Sequence, residues 1–353
     1  MSLKNLNTNR VFSVKTDDSG HAIFDQLVPG NYTLTALKNL TSTEAEIITG
    51  IASEAYLNAS VAQIQILETG SKNVQLDGGV IGDWVIKEFY YSGAPNSYYF
   101  YDSYIEIYNN STEILYADGL LFGSTKSATA SSTSFYGFVT QNYQDAFLSY
   151  AFKIPGKGTE YPVEPGKSIV IAIDAIDHKT DPNGNANSPV NLGKGISDFE
   201  VYYYVNPKAP DTDNPDVPNV EIVYATSTSL FDYLPGVMGS GLILFKSDDP
   251  DTLARMREPN ASASTQYLRV PREQVIDALD AAANTSMPLE TKRLATVLDA
   301  GINSVGKSYS GTSLRRKIKQ NINGRKVLLD TNNSATDFEI NQNGYTRETS
   351  SVS

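Results

Sequence analysis

The apolar residues of this chain come in short runs separated by turn-forming residues, and that spacing limits what it can fold into more than any other feature. The strongest runs, Ser168–Ile173 and Gly241–Phe245, are only a few residues long. A helix that crosses a bilayer needs about 20 consecutive apolar residues, so no transmembrane segment is expected. Short apolar runs bounded by Gly, Pro, Asn and Asp read as buried strands. Further strands are predicted at Val11–Thr16, His21–Phe24, Trp84–Tyr91, Tyr104–Tyr108, Phe199–Val205 and Val220–Ala225. Tyr32, Leu34 and Ala36 alternate with Asn31, Thr33 and Thr35, the period of a half-buried strand. Asp17-Asp18-Ser19-Gly20, Pro29-Gly30 and Asn323-Gly324 supply turns. The fold class is therefore mainly β.

Two segments break the pattern. Asn206–Asn219 carries Pro207, Pro210, Pro215 and Pro218, which deny it a strand ladder and predict an extended surface loop. Pro271 followed by Val275, Ile276 and Leu279, and Leu289–Ala300 with Leu294, Val297 and Leu298, place apolar residues on one helical face. They predict a small helical insertion at about 271–300. At roughly 150 residues per domain, 353 residues predict two or three domains. Asp77-Gly78-Gly79 marks the boundary, giving domains 1–78 and 79–340 and a polar, flexible tail over 341–353.

Charge and composition then exclude whole function classes. Lys and Arg total 28 against 40 Asp and Glu, a net charge of −12, which argues against nucleic acid as the main partner. The absence of cysteine removes disulfides, thiolate metal sites and a Cys nucleophile. The only histidines are His21 and His178, which nearly excludes a hydrolase triad. Gly236-Val-Met-Gly-Ser-Gly lacks the Lys and Ser/Thr of a phosphate-cradling loop.

The remaining candidates are few. Asp174, Asp177 and His178 lie at the exit of the Ser168–Ile173 strand and form a candidate metal set. Asp181–Asn187 and Asp211–Asp216 space side-chain oxygens like an irregular calcium loop. The first has Ala186 and Leu192 where an EF-hand needs Gly and Glu, and the second has Pro at its fifth position. No other cofactor is expected. Tyr98, Tyr99, Tyr101 and Tyr104 are candidate ligand-binding aromatics. In Tyr202-Tyr203-Tyr204, as elsewhere, strand alternation sends some rings into the core. Arg315, Arg316 and Lys317 open a basic stretch that also holds Lys319, Arg325 and Lys326 and is a candidate partner surface.

Two stretches carry family resemblances. Thr16-Asp-Asp-Ser-Gly-His-Ala-Ile-Phe-Asp-Gln-Leu-Val-Pro-Gly-Asn-Tyr-Thr-Leu resembles the prealbumin-like, carboxypeptidase-regulatory-like modules of bacterial surface proteins. That resemblance implies a seven-stranded sandwich serving as a stalk. Trp84-Val-Ile-Lys-Glu-Phe-Tyr-Tyr, Tyr104-Ile-Glu-Ile-Tyr-Asn-Asn-Ser, Val163-Glu-Pro-Gly-Lys-Ser-Ile-Val-Ile-Ala and the segment from Ser313-Leu-Arg-Arg-Lys to Asp337-Phe338 resemble a lamin-tail-like domain. In combination the chain resembles the Bacteroides-type envelope family known as domain of unknown function 4876. The resemblance implies a second, larger immunoglobulin-like β-sandwich, export to the cell envelope, and often a lipoprotein anchor. Met1-Ser2-Leu3 runs straight into β pattern, so an export signal is expected to have been removed.

These readings lead to a non-enzymatic ligand- or partner-binding lipoprotein of the outer membrane or periplasm, accessory to an outer-membrane nutrient transporter. The alternatives are a metal-dependent hydrolase using Asp174, Asp177 and His178, and a carbohydrate-binding module using the exposed tyrosines.

Overall fold

The computed structural model describes residues 1–49, 54–80, 82–127, 138, 143–259, 261–283 and 292–342. The first domain contains β1 (Ser2–Asn5), β2 (Val11–Ser13), β3 (Gly30–Leu40), helix α1 (Ser42–Thr49), β4 (Ala55–Ile66) and β5 (Asp77–Val80). Its strands form one antiparallel sheet in the order β2-β1-β3-β4-β5. Leu3, Tyr32 and Leu34 centre its core, and Phe24, Leu27, Ile64 and Ile66 close over them. Thr41 and Glu44 cap the start of α1 reciprocally, each side chain meeting the other's backbone N–H.

This domain corrects three expectations. It is a single five-stranded sheet among the described residues, not a seven-stranded sandwich. His21–Phe24 is irregular rather than a strand, because Asp17 Oδ1 accepts from the N–H groups of Ser19 and His21 and the Asp17 N–H bonds the His21 carbonyl. Those local bonds engage both backbone groups of His21, the residue at which the expected strand would start. The boundary moves past Asp77-Gly78-Gly79, since β5 continues through Val80 as the edge of this sheet.

The second domain contains β6 (Trp84–Tyr90), β7 (Tyr104–Asn109), β8 (Leu115–Tyr116), β9 (Leu121–Ser124), β10 (Ala146–Leu148), β11 (Tyr150–Lys153), β12 (Pro162–Val163), β13 (Ser168–Ala172), β14 (Phe199–Glu200) and β15 (Glu221–Ala225). It continues through β16 (Gly241–Phe245), β17 (Arg255–Arg257), β18 (Gln266–Val270), β19 (Val275–Ala282), β20 (Asn303–Ser304), β21 (Ser313–Arg316), β22 (Ile318–Ile322), β23 (Arg325–Leu328) and β24 (Phe338–Asn341). One six-stranded sheet runs β14-β13-β7-β6-β21-β24, and a second runs β15-β11-β9-β16-β19-β20. They face each other across a shared core. The first sheet contributes Trp84, Ile86, Phe89, Ile105, Ile107, Ile169 and Ile171, and the second contributes Phe122, Phe152, Leu242, Leu244 and Leu279. This is a β-sandwich, as the sequence pattern implies.

The apolar run of β16 has no polar face because both of its faces are covered. Leu242 and Leu244 enter the sandwich core, while Ile243 and Phe245 pack outward against Leu268 and Val270 of a third sheet, β10-β18-β17. In β6 the register shifts between Ile86 and Glu88, so Trp84, Ile86 and Phe89 share the core face despite the broken alternation.

The helical insertion at 271–300 does not form as expected. Pro271 leads a short 3₁₀ turn, Arg272–Gln274, and Val275–Ala282 is strand β19, paired antiparallel with β16. Residues 292–300 are irregular, with one turn closed by Leu298 and Asp299 onto the Ala295 carbonyl, and 284–291 lie outside the described residues. A central place in the sheet overrides the helical spacing. Phe199–Val205 likewise shortens to Phe199–Glu200, and the proline loop 206–219 contains no strand. Asn341 belongs to β24, so the expected tail begins later, and 343–353 lie outside the described residues.

The basic stretch is also corrected. Arg316 is buried, and its Nη2 meets Asp277 Oδ2 of the opposite sheet at 2.5 Å. Its Nη1 lies 3.4 Å from Asp330 and 3.6 Å from Asp337, and Nε donates to the Ile86 carbonyl at 2.7 Å. Arg315 Nε pairs with the buried Glu88 at 2.7 Å, and Lys317 Nζ donates to the Thr336 carbonyl at 2.6 Å. These three residues hold the fold together and do not form an open partner surface. Beyond them, β22 and β23 form a hairpin with Asn323 and Gly324 at φ 51° and 86°, the left-handed pair such a tight turn requires.

Two of the carboxyls around this guanidinium, Asp277 and Asp337, make stability depend on pH. Burial raises the Asp277 carboxyl well above the carboxylate range, with Arg316 pulling the other way, and burial brings Asp337 to about 6. These groups hold protons in the folded chain that the unfolded chain has released, so their contribution is complete at acid pH and is lost as pH rises through about 6 and above. The slope is about 1.4 kcal/mol per pH unit for each proton held. Thermal unfolding in chelator is expected to give a lower Tm at about pH 8 than at about pH 5.5, with Asp337→Asn narrowing the gap. A Tm that climbs over that interval would contradict this assignment.

Candidate functional site

Strand register brings five connections to one end of the sandwich. The loop from β6 to β7 lies there, because Tyr90 pairs with Tyr104. The exit of β13 lies there too, because Ala172 also pairs with Tyr104. β14 runs parallel to β13 and sends the proline loop to the same end. The loop from β15 to β16 and the one from β20 to β21 complete the set.

The β6–β7 loop doubles back tightly. The Ala94 N–H donates to the Tyr99 carbonyl at 2.8 Å, and Gly93 sits at φ 77°, where a Cβ would come within 2.7 Å of that carbonyl. The fold-back projects a row of aromatic rings. Tyr98 packs edge-on against Tyr309 at 5.4 Å, Tyr309 lies 6.4 Å from Phe100, Phe100 stacks on Tyr101 at 5.2 Å, and Tyr101 reaches Phe231 at 6.2 Å. Tyr98 is 86% exposed and Phe231 48% exposed, so the ends of this ridge face solvent while its rings brace one another.

Behind the ridge, His178 is buried and both its ring nitrogens are engaged. Nε2 lies 2.9 Å from the Asp174 carbonyl and must donate to it, so Nδ1 accepts from the Tyr99 hydroxyl at 2.7 Å. Burial pushes the imidazole down to about 4, which keeps it neutral. The neutral ring thus locks Tyr99 against the strand exit. Asp177 is spent on its own turn, accepting from the Lys179 N–H and the Thr180 hydroxyl. Asp174, Asp177 and His178 therefore do not converge as a metal set.

Asp174 instead turns toward two other acids. One carboxylate oxygen from each of Asp174, Asp211 and Asp232 lies within 4.8 Å of the other two. Asp174 follows β13, Asp211 comes from the proline loop, and Asp232 precedes β16. The proline loop is fixed in place by Glu200, whose oxygens accept from the N–H groups of Ala175 and Asn214, and by Asp211 Oδ2, which accepts from the Tyr203 N–H. Burial, followed by the charges of Asp211, Glu200 and Asp102, raises Asp174 above the carboxylate range. Burial, followed by Asp174 and Asp211, does the same to Asp232. Burial lifts Glu200 to about 7 and Asp102 to about 6. An all-oxygen group of this kind can hold protons or a hard cation.

Tyr98, Tyr99 and Tyr101 thus lie at this end, with Asp174 and Asp211 beside them. Tyr104 does not join them. It is buried, stacks on Tyr90 at 5.7 Å and donates to Glu88 at 2.8 Å. Tyr203 is buried while Tyr204 is exposed, although both lie beyond the end of β14. The other loop singled out for calcium, Asp181–Asn187, spends Asp181 and Asn185 on Asx turns to Asn183 and Asn187. Sequence reasoning missed Asp232, Phe231, Tyr309 and Asp102. A cleft of about 210 Å³ lined by Trp84, Tyr116, Asp118 and Lys246 lies away from these residues, and Asp118 there is engaged by three backbone N–H groups.

Comparison with known proteins agrees with this architecture. Residues 164–344 match the model of a family described as "Protein of unknown function (DUF4876)". A crystal structure of a DUF4876 family protein from Bacteroides thetaiotaomicron VPI-5482 is similar over 96% of this chain and 89% of that one, with a TM-score of 0.64 and 29% sequence identity. No curated protein matches the chain.

Proposed function

The chain belongs to DUF4876, a family of proteins of unknown function, and we propose that it is an exported, non-enzymatic binding protein of the cell envelope that holds a glycan-class ligand on the aromatic ridge. The observation that carries this reading is the braced, solvent-facing row Tyr98–Tyr309–Phe100–Tyr101–Phe231 beside a group of carboxyls. Sugar rings offer apolar C–H faces that suit aromatic platforms, and their hydroxyls suit carboxyl and phenol partners. Rings already held by their neighbours lose little freedom on binding. In this reading the chain is a lipoprotein of the outer membrane beside a nutrient transporter, a setting suggested by the resemblance of residues 16–34 to stalk modules of bacterial surface proteins. No helix among the described residues is long and apolar enough to cross a membrane. An N-terminal lipid is the anchor in this reading.

The test compares retention of outer-membrane polysaccharides by the wild-type chain and by a Tyr98→Ala/Tyr101→Ala double variant. Loss of two contact rings is expected to weaken binding about 10-fold or more. Equal retention by both proteins would refute the ridge as the binding face.

A further inference from the structure

We propose that Asp174, Asp211 and Asp232 form a calcium site that ties the proline loop to the strand ends of both sheets. The inference stands on these carboxylates alone and does not depend on what the aromatic ridge binds.

The first observation is spacing. Three carboxylate oxygens, one from each residue, lie within 4.8 Å of one another. Oxygens bound to Ca²⁺ at about 2.3–2.6 Å can lie up to about 5 Å apart across the ion, a span that accommodates all three, and Ca²⁺ tolerates the irregular geometry of side chains drawn from three separate segments. The donors are all hard oxygens, and His178, the nearest nitrogen candidate, has both ring nitrogens committed.

The second observation is that this group lacks something the chain supplies elsewhere. Asp277, Asp330 and Asp337 surround the guanidinium of Arg316. The charges that act on Asp174 are those of Asp211, Glu200 and Asp102, and those that act on Asp232 are Asp174, Asp211 and Glu200, all of them acids. Asp232 is only 2% exposed, and its Oδ1 is buried with no hydrogen-bond partner. Asp102, 0% exposed, has Oδ2 bonded by Ser188 and Tyr90 while its Oδ1 is also partnerless. A buried carboxylate oxygen with no donor calls for a cation or a proton. A cation at this point would satisfy Asp232 and offset the excess charge that Asp102 and Glu200 add.

Topology gives the site its purpose. Asp174 follows a strand of the first sheet, Asp232 precedes a strand of the second, and Asp211 belongs to the loop between them. An ion there would fix that loop beside Tyr101, whose hydroxyl feels the charge of both Asp232 and Asp174.

The test is calorimetric titration of the chelator-treated full chain with CaCl₂ alone, alongside Asp211→Asn, Asp232→Asn and, as a control from the other Asx loop, Asp181→Asn. The wild type and Asp181→Asn are expected to bind one Ca²⁺ per chain, with Asp211→Asn at least tenfold weaker. Asp211 is only part-buried and its change leaves the core intact, so the test survives if Asp232→Asn fails to fold. No heat of binding at millimolar calcium in a folded wild type would overturn the proposal. So would equal affinity in Asp211→Asn, or binding of Mg²⁺ in preference to Ca²⁺.

Discussion

Arg316→Met is expected to destabilise the protein by roughly 3–5 kcal/mol, the range for removing one partner of a buried ion cluster. The side chain is fully buried, bonds Asp277 across the two sheets, donates to the Ile86 and Leu329 carbonyls, and lies 4.5 Å over the Phe338 ring. Methionine fills much of the volume but leaves Asp277, Asp330 and Asp337 facing one another without a cation. Arg316→Lys keeps the charge but reaches fewer of these acceptors with a single ammonium, and an intermediate loss is expected. Urea unfolding monitored by the fluorescence of Trp84, which lies in the sandwich core, reads these differences. A loss below about 1 kcal/mol for Arg316→Met would mean that the cluster is solvated and the two sheets are held by apolar packing alone.

Glu88→Ala is expected to cost about 3 kcal/mol or more, because four donors converge on this one carboxylate. Tyr104 donates at 2.8 Å, Arg315 Nε at 2.7 Å and Asn341 Nδ2 at 3.0 Å, and the Ser313 hydroxyl is the fourth. They come from β7, β21 and β24, so Glu88 on β6 ties together four neighbouring strands of one sheet. Truncation strands the donors in a buried site. Tyr104→Phe removes one donor and is expected to cost only about 1 kcal/mol. If the tyrosine variant proved as damaging as the glutamate variant, the carboxylate would not be the organising group.

The β-sandwich was legible because short apolar runs between turns leave few other solutions. β16 shows this well, since a run without polar alternation means burial on both faces, and a third sheet covers its outer side. β19 was misread for an equally physical reason. Val275, Ile276 and Leu279 fit a helical face as well as they fit a bulged strand, and what decides between them is β16, distant in sequence. In β6 the bulge near Lys87 hides the core face from any alternation rule.

The site was legible only where residues are contiguous. Tyr98–Tyr101 stood out as a run of rings, and Asp174 and Asp211 stood out at a strand exit and in an Asx-rich loop. Asp232 carried no signal, a single acid between Phe231 and Tyr233 that topology alone brings to the others. The basic run Arg315–Lys317 looked like a surface because the acids and carbonyls that engage it lie on other segments. Charge runs show composition, and only the folded partners show whether a charge is spent.

The account rests most on the aromatic ridge as the binding face. The most direct measurement is hydrogen–deuterium exchange of the wild-type chain with and without added outer-membrane polysaccharides. The account predicts slowed exchange in the loop around Tyr98–Tyr101 and in the segments around Phe231 and Tyr309. Protection confined to the β22–β23 hairpin or to the N-terminal sheet would contradict it and move the binding face elsewhere.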